Sequence, residues 1–64
     1  LAPADRARAA AFPRALTTSP TAADARAALE AQGFGVDYVE DRDGRRFGAV
    51  RLGAVRLIDN VRLP

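Results

Sequence analysis

A five-residue segment, GAVRL, occurs twice in succession near the end of the chain, at residues 48–52 and 53–57. Side chains of a β-strand alternate between the two faces of a sheet, so their period is two. The period of the repeat is five, which is odd. A single continuous strand through both copies would therefore place Val50 and Val55 on opposite faces of the sheet.

Gly53 lies where the two copies meet. Glycine inside a strand weakens it and often marks a bulge or a bend. The repeat therefore predicts two strands, over residues 47–52 and 55–60, joined by a tight turn at Gly53 and Ala54. Repeat architectures use units of roughly 20 residues or more, so the duplication does not indicate a solenoid.

A third strand is predicted upstream, in the segment FGVDYVE at residues 34–40. Its alternation places Phe34, Val36 and Tyr38 on one face, so we expect Tyr38 in the core. The following Asp-Gly pair at 43–44 is a strong signal for a two-residue hairpin. Together these segments predict a three-stranded antiparallel meander.

The first part of the chain has the composition of a helix. Pro3 suits a first helical turn, and Asp5 lies near the positive end of the helix dipole. Alanine and arginine then continue the helix to about residue 12. Pro13 removes a backbone donor and clashes with the preceding turn, so we expect residues 14–16 to be kinked or irregular and TTSP at 17–20 to be a linker.

The segment TAADARAALEAQG predicts a second helix, of about eleven residues. Thr21 followed by Asp24 resembles a capping box, and Gly33 is a typical helix stop. The helix is lined with alanine, which favours close packing on a sheet. The predicted fold class is therefore α+β: two helices followed by a three-stranded antiparallel β-meander, with the helices on one face. The other face is solvated or docked on another part of the protein.

Composition excludes several kinds of site. The chain has 64 residues with no cysteine and no histidine, so disulfides, thiol nucleophiles and the usual zinc ligand sets are excluded.

The ten basic residues are all arginine, but the net charge is only +2 and acids alternate with them. This is a weak footprint for nucleic acid, and we predict no nucleic-acid partner. No apolar run approaches the roughly 20 residues of a membrane span, so we predict no membrane partner.

Several segments together resemble a known family. The chain opens with the pattern L-x-P-x-x-R-A-x-A, continues with VDYVEDRD at 36–43, and closes with RLIDN at 56–60. These segments resemble the C-terminal domain of the pantothenate synthetase family, the pantoate–β-alanine ligases. The positions that carry the family pattern in the strands are Asp37, Tyr38, Arg56, Leu57, Ile58, Asp59 and Asn60. The stretch at 41–46, DRDGRR, is shorter than is usual in the family.

The resemblance implies a function for a longer protein. The family condenses pantoate with β-alanine through a pantoyl adenylate, using ATP and Mg²⁺, to give pantothenate on the route to coenzyme A. It implies that residues 1–64 form a C-terminal lid domain and that this cytoplasmic enzyme is a homodimer through its other domain. The chain begins without methionine, so we expect a fragment whose N-terminal nucleotide-binding domain is its partner. The catalytic residues belong to that domain, so we expect none here.

Few residues of this chain are candidates for a site. Arg42, Arg45 and Arg46, near the predicted hairpin tip, are candidates for contact with ATP phosphates when the lid closes, the alternative being a solvated turn. Asp59 and Asn60 face opposite sides of a strand, which favours a structural role over a shared ligand. The acids at 37, 41 and 43 lack the spacing and the distal glutamate of a calcium loop, so we predict no metal site.

Other functions remain open from the residues alone. A small basic module that contacts RNA or a protein through its sheet is the main alternative, and it would need a continuous basic face with exposed aromatic side chains. A purely structural or oligomerisation module is a third possibility. On the ligase interpretation, the 64-residue chain alone is inactive and binds no cofactor.

Overall fold

The computed structural model describes residues 2–64 and shows three helices followed by one sheet. The helices are α1 (Pro3–Ala9), α2 (Ala11–Thr18) and α3 (Ala22–Ala31), and the strands are β1 (Gly35–Arg42), β2 (Arg45–Leu52) and β3 (Val55–Arg62). The strand order is β1-β2-β3, with both neighbouring pairs antiparallel. The predicted α+β class, with helices preceding an antiparallel meander, is confirmed. Leu1 of the opening sequence pattern lies outside the described residues.

The prediction for the first helical region was wrong in detail. The helix breaks at Ala10, and residues 11–18 form a second helix that includes Pro13. Pro13 cannot donate to the carbonyl of Ala9, and its ring clashes with that carbonyl, so the first helix ends there. Pro13 is the third residue of α2, where a backbone N–H has no intrahelical partner in any case. Pro13 therefore ends α1 and is tolerated in the first turn of α2, so residues 14–18, expected to be irregular or linker, are helical.

The ends of α3 agree with the sequence prediction. Thr21 is the N-cap, and its hydroxyl oxygen accepts a hydrogen bond from the backbone N–H of Asp24 at 3.0 Å. At the other end Gly33 adopts a φ of 91°, in the left-handed region. The N–H of Phe34 then donates to the carbonyl of Leu29 at 3.1 Å. This pattern closes the helix and turns the chain directly into β1.

Both predicted turns are present. Asp43 and Gly44 have φ values of 54° and 75°, as a two-residue turn with a right-handed twist requires. Gly53 has a φ of 61°, and Leu52 pairs with Val55 across the second turn. The repeated GAVRL segments therefore lie on two paired strands, as predicted. Both strands extend about two residues beyond the predicted bounds, a normal error for strand ends.

A β-bulge in β1 changes which side chains face the helices. Val36 pairs with Val50, but the next pair is Tyr38 with Ala49, so Asp37 is an extra residue. Tyr38 consequently faces away from the core and is 37% exposed, and Val39 packs against the core instead. The prediction that Tyr38 is a core residue was wrong because the alternation was extrapolated through the bulge.

The core lies between the helices and one face of the sheet, which we call the covered face. Its buried members are Phe12, Ala15, Leu16, Ala25, Leu29, Phe34, Val36, Val50 and Leu52. Gly48 occupies the covered face of β2 opposite α2. A Cβ atom at Gly48 would lie 3.0 Å from the Phe12 ring and 3.1 Å from Leu16 Cδ2. The absence of a side chain at position 48 therefore lets α2 approach the sheet closely.

Candidate functional site: the open face of the sheet

The face of the sheet opposite the helices, which we call the open face, carries most of the charged side chains of the strands. Residues paired across antiparallel strands share a face, so the register identifies them. They are Asp37, Tyr38, Glu40 and Arg42 on β1, Arg45, Phe47, Ala49 and Arg51 on β2, and Arg56, Ile58, Asn60 and Arg62 on β3. Five arginines and two acids thus share this surface.

The centre of the open face is apolar. Tyr38, Ala49 and Ile58 form one row across the three strands. Ile58 is 65% exposed, whereas Ala49, the small residue between two large neighbours, is fully buried. Phe47 lies beside this row and is half-buried. An apolar centre with aromatic side chains and a rim of arginine is typical of binding surfaces.

At one end of the open face the charges are balanced locally. Arg51 and Arg56 are cross-strand partners, and the carboxylate of Asp37 lies between their guanidinium groups. Arg51 Nε donates to Oδ1 at 2.9 Å, and Arg56 Nε donates to Oδ2 at 3.0 Å. The hydrogen bonds from Arg56 and Arg51 lower the pKa of Asp37 below its usual value. The bulge that adds Asp37 to the strand thus also supplies this carboxylate.

At the other end three arginines stand side by side. Arg42 pairs with Arg45 and Arg45 pairs with Arg62, so one residue of each strand contributes to what we call the arginine row. Within residues 2–64, none of these three side chains forms an ion pair with a carboxylate. The guanidinium of Arg42 lies 4.9 Å from the centre of the Phe47 ring. Arg45 Nε donates to Asn60 Oδ1 at 3.0 Å.

The three arginines proposed from the sequence are divided between the two faces. Arg42 and Arg45 lie on the open face, whereas Arg46 is buried on the covered face with 1% of its surface exposed. Arg46 donates to both carboxylate oxygens of Asp41 and to the carbonyls of Leu16, Ser19 and Pro20. These bonds fasten the α2–α3 connection to the sheet. Arg46 is thus engaged in contacts within the fold. On the open face, the cross-strand neighbour of Arg45 on β3 is Arg62.

Arg62 had no distinguishing signal in the sequence. It lies 17 residues beyond Arg45 in the chain, and only the register of β2 with β3 brings the two together. The sequence prediction placed the end of β3 at residue 60, two residues short of Arg62. Arg62 could have been placed beside Arg45 only if the predicted third strand had extended to residue 62.

Asp59 and Asn60 have neighbouring positions but separate contacts. Asn60 accepts the hydrogen bond from Arg45 on the open face, and Asp59 Oδ1 accepts one from the backbone N–H of Asn60 at 2.8 Å. Both contacts lie within the sheet, one between β2 and β3 and one within β3. In the part of the chain that the structure describes, no three acidic side chains gather where they could hold a metal ion. None of the helices within residues 2–64 combines the length and the apolar character needed to cross a membrane.

Comparison with known proteins finds relatives that are named pantothenate synthetase. A pantothenate synthetase of Bdellovibrio bacteriovorus is 57% identical over 63 residues, which is 98% of this chain and 25% of that protein. This chain is homologous to a segment of pantothenate synthetase. The pantothenate synthetase of Legionella pneumophila strain Corby is 59% identical over 32 residues, half of the chain and 13% of that protein. That of Coxiella burnetii strain Dugway is 56% identical over 34 residues, or 53% of the chain and 13% of the relative.

These matches confirm the resemblance to pantothenate synthetase found in the sequence. The chain spans about a quarter of the length of the Bdellovibrio relative. No family model matches the chain, and no solved structure gives a significant match. The residues that carry the family pattern lie on β1 and β3, and several of them, including Asp37, Tyr38 and Arg56, face the open side of the sheet.

Proposed function

We propose that this chain is the lid domain of an ATP-dependent ligase that condenses pantoate with β-alanine through a pantoyl adenylate to give pantothenate. The observation that carries the proposal is the 57% identity to a pantothenate synthetase over almost the whole chain. The remaining part of such an enzyme, an N-terminal nucleotide-binding domain, is the proposed partner. A homodimer formed through that domain and a cytoplasmic location belong to the same proposal.

The architecture suits a part that covers a reaction site. The helices and the covered face enclose a core of their own, so the unit can move as a body. Within residues 2–64 no helix packs on the open face, and its apolar centre excludes water when it is covered. An acyl adenylate is readily hydrolysed, and closure that keeps water away protects it until the amine attacks. In this proposal the chain closes over the reaction site, and the catalytic residues lie in the N-terminal nucleotide-binding domain.

The composition of the chain is consistent with catalytic residues that lie in another domain. Histidine, the commonest general base, and cysteine, a common nucleophile, do not occur in the sequence. The described residues offer no acidic cluster for a metal ion, so we assign no Mg²⁺ ligand to them. Arg42 and Arg45 remain candidates for contact with ATP phosphates because they project from the open face.

A chimeric enzyme tests the proposal. In the Bdellovibrio pantothenate synthetase, the homologous quarter is replaced by this chain, and pantothenate and AMP are both measured. We expect turnover within about tenfold of the parent, which corresponds to about 1.4 kcal/mol in activation free energy. A version that ends before the homologous segment serves as the control and should lose pantothenate formation. A folded chimera without turnover would contradict the proposal.

The lid role has its own readout, the ratio of AMP to pantothenate. A lid that closes poorly lets water compete with β-alanine, so AMP is released without an equal amount of pantothenate. We expect Ile58→Glu in the chimera to raise this ratio, because it places a charge at the exposed apolar centre. Ala54→Glu, in an exposed turn, is the matched control. An unchanged ratio in the Ile58 variant would argue against a lid that closes through the open face.

One observation favours the second candidate, a module that binds RNA. The open face is rich in arginine and exposes Tyr38, as a surface that stacks bases requires. Asp37 and Glu40 interrupt the positive charge, and the homology gives no support to this function. Binding of a single-stranded RNA by the 64-residue chain, with an affinity that falls steeply with salt, would favour it over the lid.

A further inference from the structure

We infer that the arginine row, Arg42, Arg45 and Arg62, is a binding site for an anion of two or more linked phosphate groups. The inference goes beyond the lid role and does not depend on it, because it concerns a site formed by this chain alone. It differs from the sequence hypotheses in two ways. Arg62 takes part and Arg46 does not, and the 64-residue chain binds a polyphosphate by itself, whereas the sequence predicted that it binds no cofactor alone. Four features of the open face support it.

The first feature is the placement of like charges. Arg42, Arg45 and Arg62 are direct cross-strand neighbours in one row. Neighbouring strands are about 4.8 Å apart, and like charges placed directly opposite one another destabilise a sheet. An anion bound across the row would remove this repulsion. Arginines that are merely solvated gain nothing from such an arrangement.

The second feature is the contrast with the opposite end of the same face. There the paired arginines Arg51 and Arg56 share the carboxylate of Asp37. Within residues 2–64 the arginine row has no such partner, although acids are close in sequence. Asp41 is occupied by Arg46 on the covered face, and neither Glu40 nor Asp43 forms an ion pair with the row. The fold thus neutralises one arginine pair and leaves the other group available.

The third feature is the support of two of the three side chains. Arg42 rests against the Phe47 ring at 4.9 Å, and the Nε of Arg45 is bound to Asn60 at 3.0 Å. Phe47 and Asn60 are themselves cross-strand partners, one step along the sheet from the row. These contacts leave the terminal N–H groups of both guanidiniums free to donate. Side chains that are already held lose less entropy when they bind a ligand.

The fourth feature is the match between donors and ligand. A guanidinium presents a planar fork of N–H donors that bonds two oxygens of a phosphate at once. Three guanidinium groups side by side suit a chain of linked phosphates, whose oxygens also follow one another along the ligand. A single phosphate or a carboxylate would engage only part of the row. The phosphate chain of a nucleotide and free pyrophosphate share this chemistry, and the experiment separates them.

The test uses the 64-residue chain, which has its own core, labelled with ¹⁵N and titrated with pyrophosphate in a phosphate-free buffer at about 0.15 M salt. The Nε–H signals of arginine report each side chain separately. We expect those of Arg42, Arg45 and Arg62 to shift together and to saturate below about 10 mM ligand, while Arg51 and Arg56 stay unchanged. Parallel titrations use ATP, AMP, orthophosphate and citrate.

ATP should bind at least as tightly as pyrophosphate, and AMP and orthophosphate several-fold more weakly. Tighter binding of ATP would show that the nucleoside also makes contacts, and equal binding that the phosphates alone are recognised. Arg45→Gln and Arg62→Gln should each weaken pyrophosphate binding about fivefold. Arg56→Gln removes one arginine from the same face and should leave the affinity unchanged.

Three results would overturn the inference. They are the absence of saturable shifts in the row, equal affinity for citrate, and equal loss of affinity in Arg56→Gln. A chain whose spectrum shows no dispersed amide signals would also overturn it, because the row exists only in the paired sheet. A failure here with an active chimera would reject the anion site and leave the lid role intact. An inactive chimera together with clear pyrophosphate binding would reject the lid role and leave the anion site intact.

Discussion

Arg46 and Asp41 form a two-bond ion pair across β1 and β2, with Nε to Oδ1 at 2.7 Å and Nη2 to Oδ2 at 3.1 Å. The hydrogen bond from Arg46 lowers the pKa of Asp41, and the same bond raises the pKa of Arg46. The Nη1 group of Arg46 also donates to the carbonyls of Leu16 and Ser19, at 3.0 and 2.6 Å. One side chain thus joins the hairpin to the end of α2.

Replacing Arg46 should severely destabilise the chain. Arg46→Met keeps much of the buried volume but removes every donor, so the carbonyls of Leu16 and Ser19 lose their partner. We expect a loss of about 2–3 kcal/mol in the free energy of unfolding. A 64-residue chain has only about 3–10 kcal/mol in total. Urea unfolding measures the loss, and Arg62→Met, an exposed arginine, should change stability by less than about 0.5 kcal/mol. Equal effects would contradict the structural role of Arg46.

The two lowered aspartate pKa values predict a loss of stability in acid. When a pKa is lower in the folded state, the stabilisation is present above the unfolded value, near 3.8, and is lost as the pH falls through the folded value. We therefore expect the free energy of unfolding to decrease from about pH 4 downward. Asp37→Asn/Asp41→Asn should be less stable at neutral pH and should show a smaller further loss in acid. If the free energy of unfolding of the parent chain and of the double variant fell equally with pH, the acid-dependent loss would not come from Asp37 and Asp41.

A methyl group at Gly48 should be poorly tolerated. Its Cβ would meet Phe12 at 3.0 Å and Leu16 at 3.1 Å, and both side chains are buried and cannot move aside. We expect Gly48→Ala to cost about 1–3 kcal/mol through overpacking. Gly35→Ala is the matched control, since its Cβ would meet only the guanidinium of Arg51, the end of an exposed side chain that can shift. Thermal melts of the two variants should separate clearly, and a stable Gly48→Ala would show that α2 can shift.

The turn between the repeated segments gives a prediction about backbone strain. Gly53 has a φ of 61°, which a β-branched residue adopts poorly. Gly53→Val should cost about 1–3 kcal/mol, whereas Ala54→Val in the same turn should cost much less. Thermal unfolding of both variants measures the difference. If valine at 53 stabilised the chain, the two copies of GAVRL would form one strand rather than two.

The 64-residue chain should have no ligase activity by itself. It contains no histidine or cysteine, and its only basic side chains are arginines, which do not act as proton acceptors at ordinary pH. Incubation with ATP, Mg²⁺, pantoate and β-alanine should release AMP no faster than buffer does. AMP release above the buffer control would place catalysis in this chain and overturn the lid proposal.

Local signals in the sequence were sufficient for most of the fold. The cap at Thr21, the stop at Gly33 and the two turns each depend on one or two residues whose backbone preference is strong. The odd period of the repeat then required a turn at Gly53. These features are local, so the element order and the meander could be predicted without knowledge of tertiary contacts.

Apart from the helix over residues 11–18, the errors arose where a contact distant in sequence decides the outcome. The bulge at Asp37 is stabilised by Arg51 and Arg56, which lie on other strands. The burial of Arg46 depends on carbonyls about 30 residues earlier in the chain. The arginine row exists only through the register of the sheet. Nothing in the local sequence distinguishes Arg46 or Arg62 from the other arginines.

Deleting one residue from the middle of a strand is normally among the most damaging changes, because it moves every later side chain to the opposite face. At Asp37 the reverse is expected. Val36 and Tyr38 already pair with the consecutive residues Val50 and Ala49, so removing Asp37 would restore a regular strand and keep each side chain on its present face. Asp37 is thus equivalent to a single-residue insertion into an otherwise complete strand. In evolutionary terms, a relative could lose this residue without a change of fold and would lose only the carboxylate between Arg51 and Arg56.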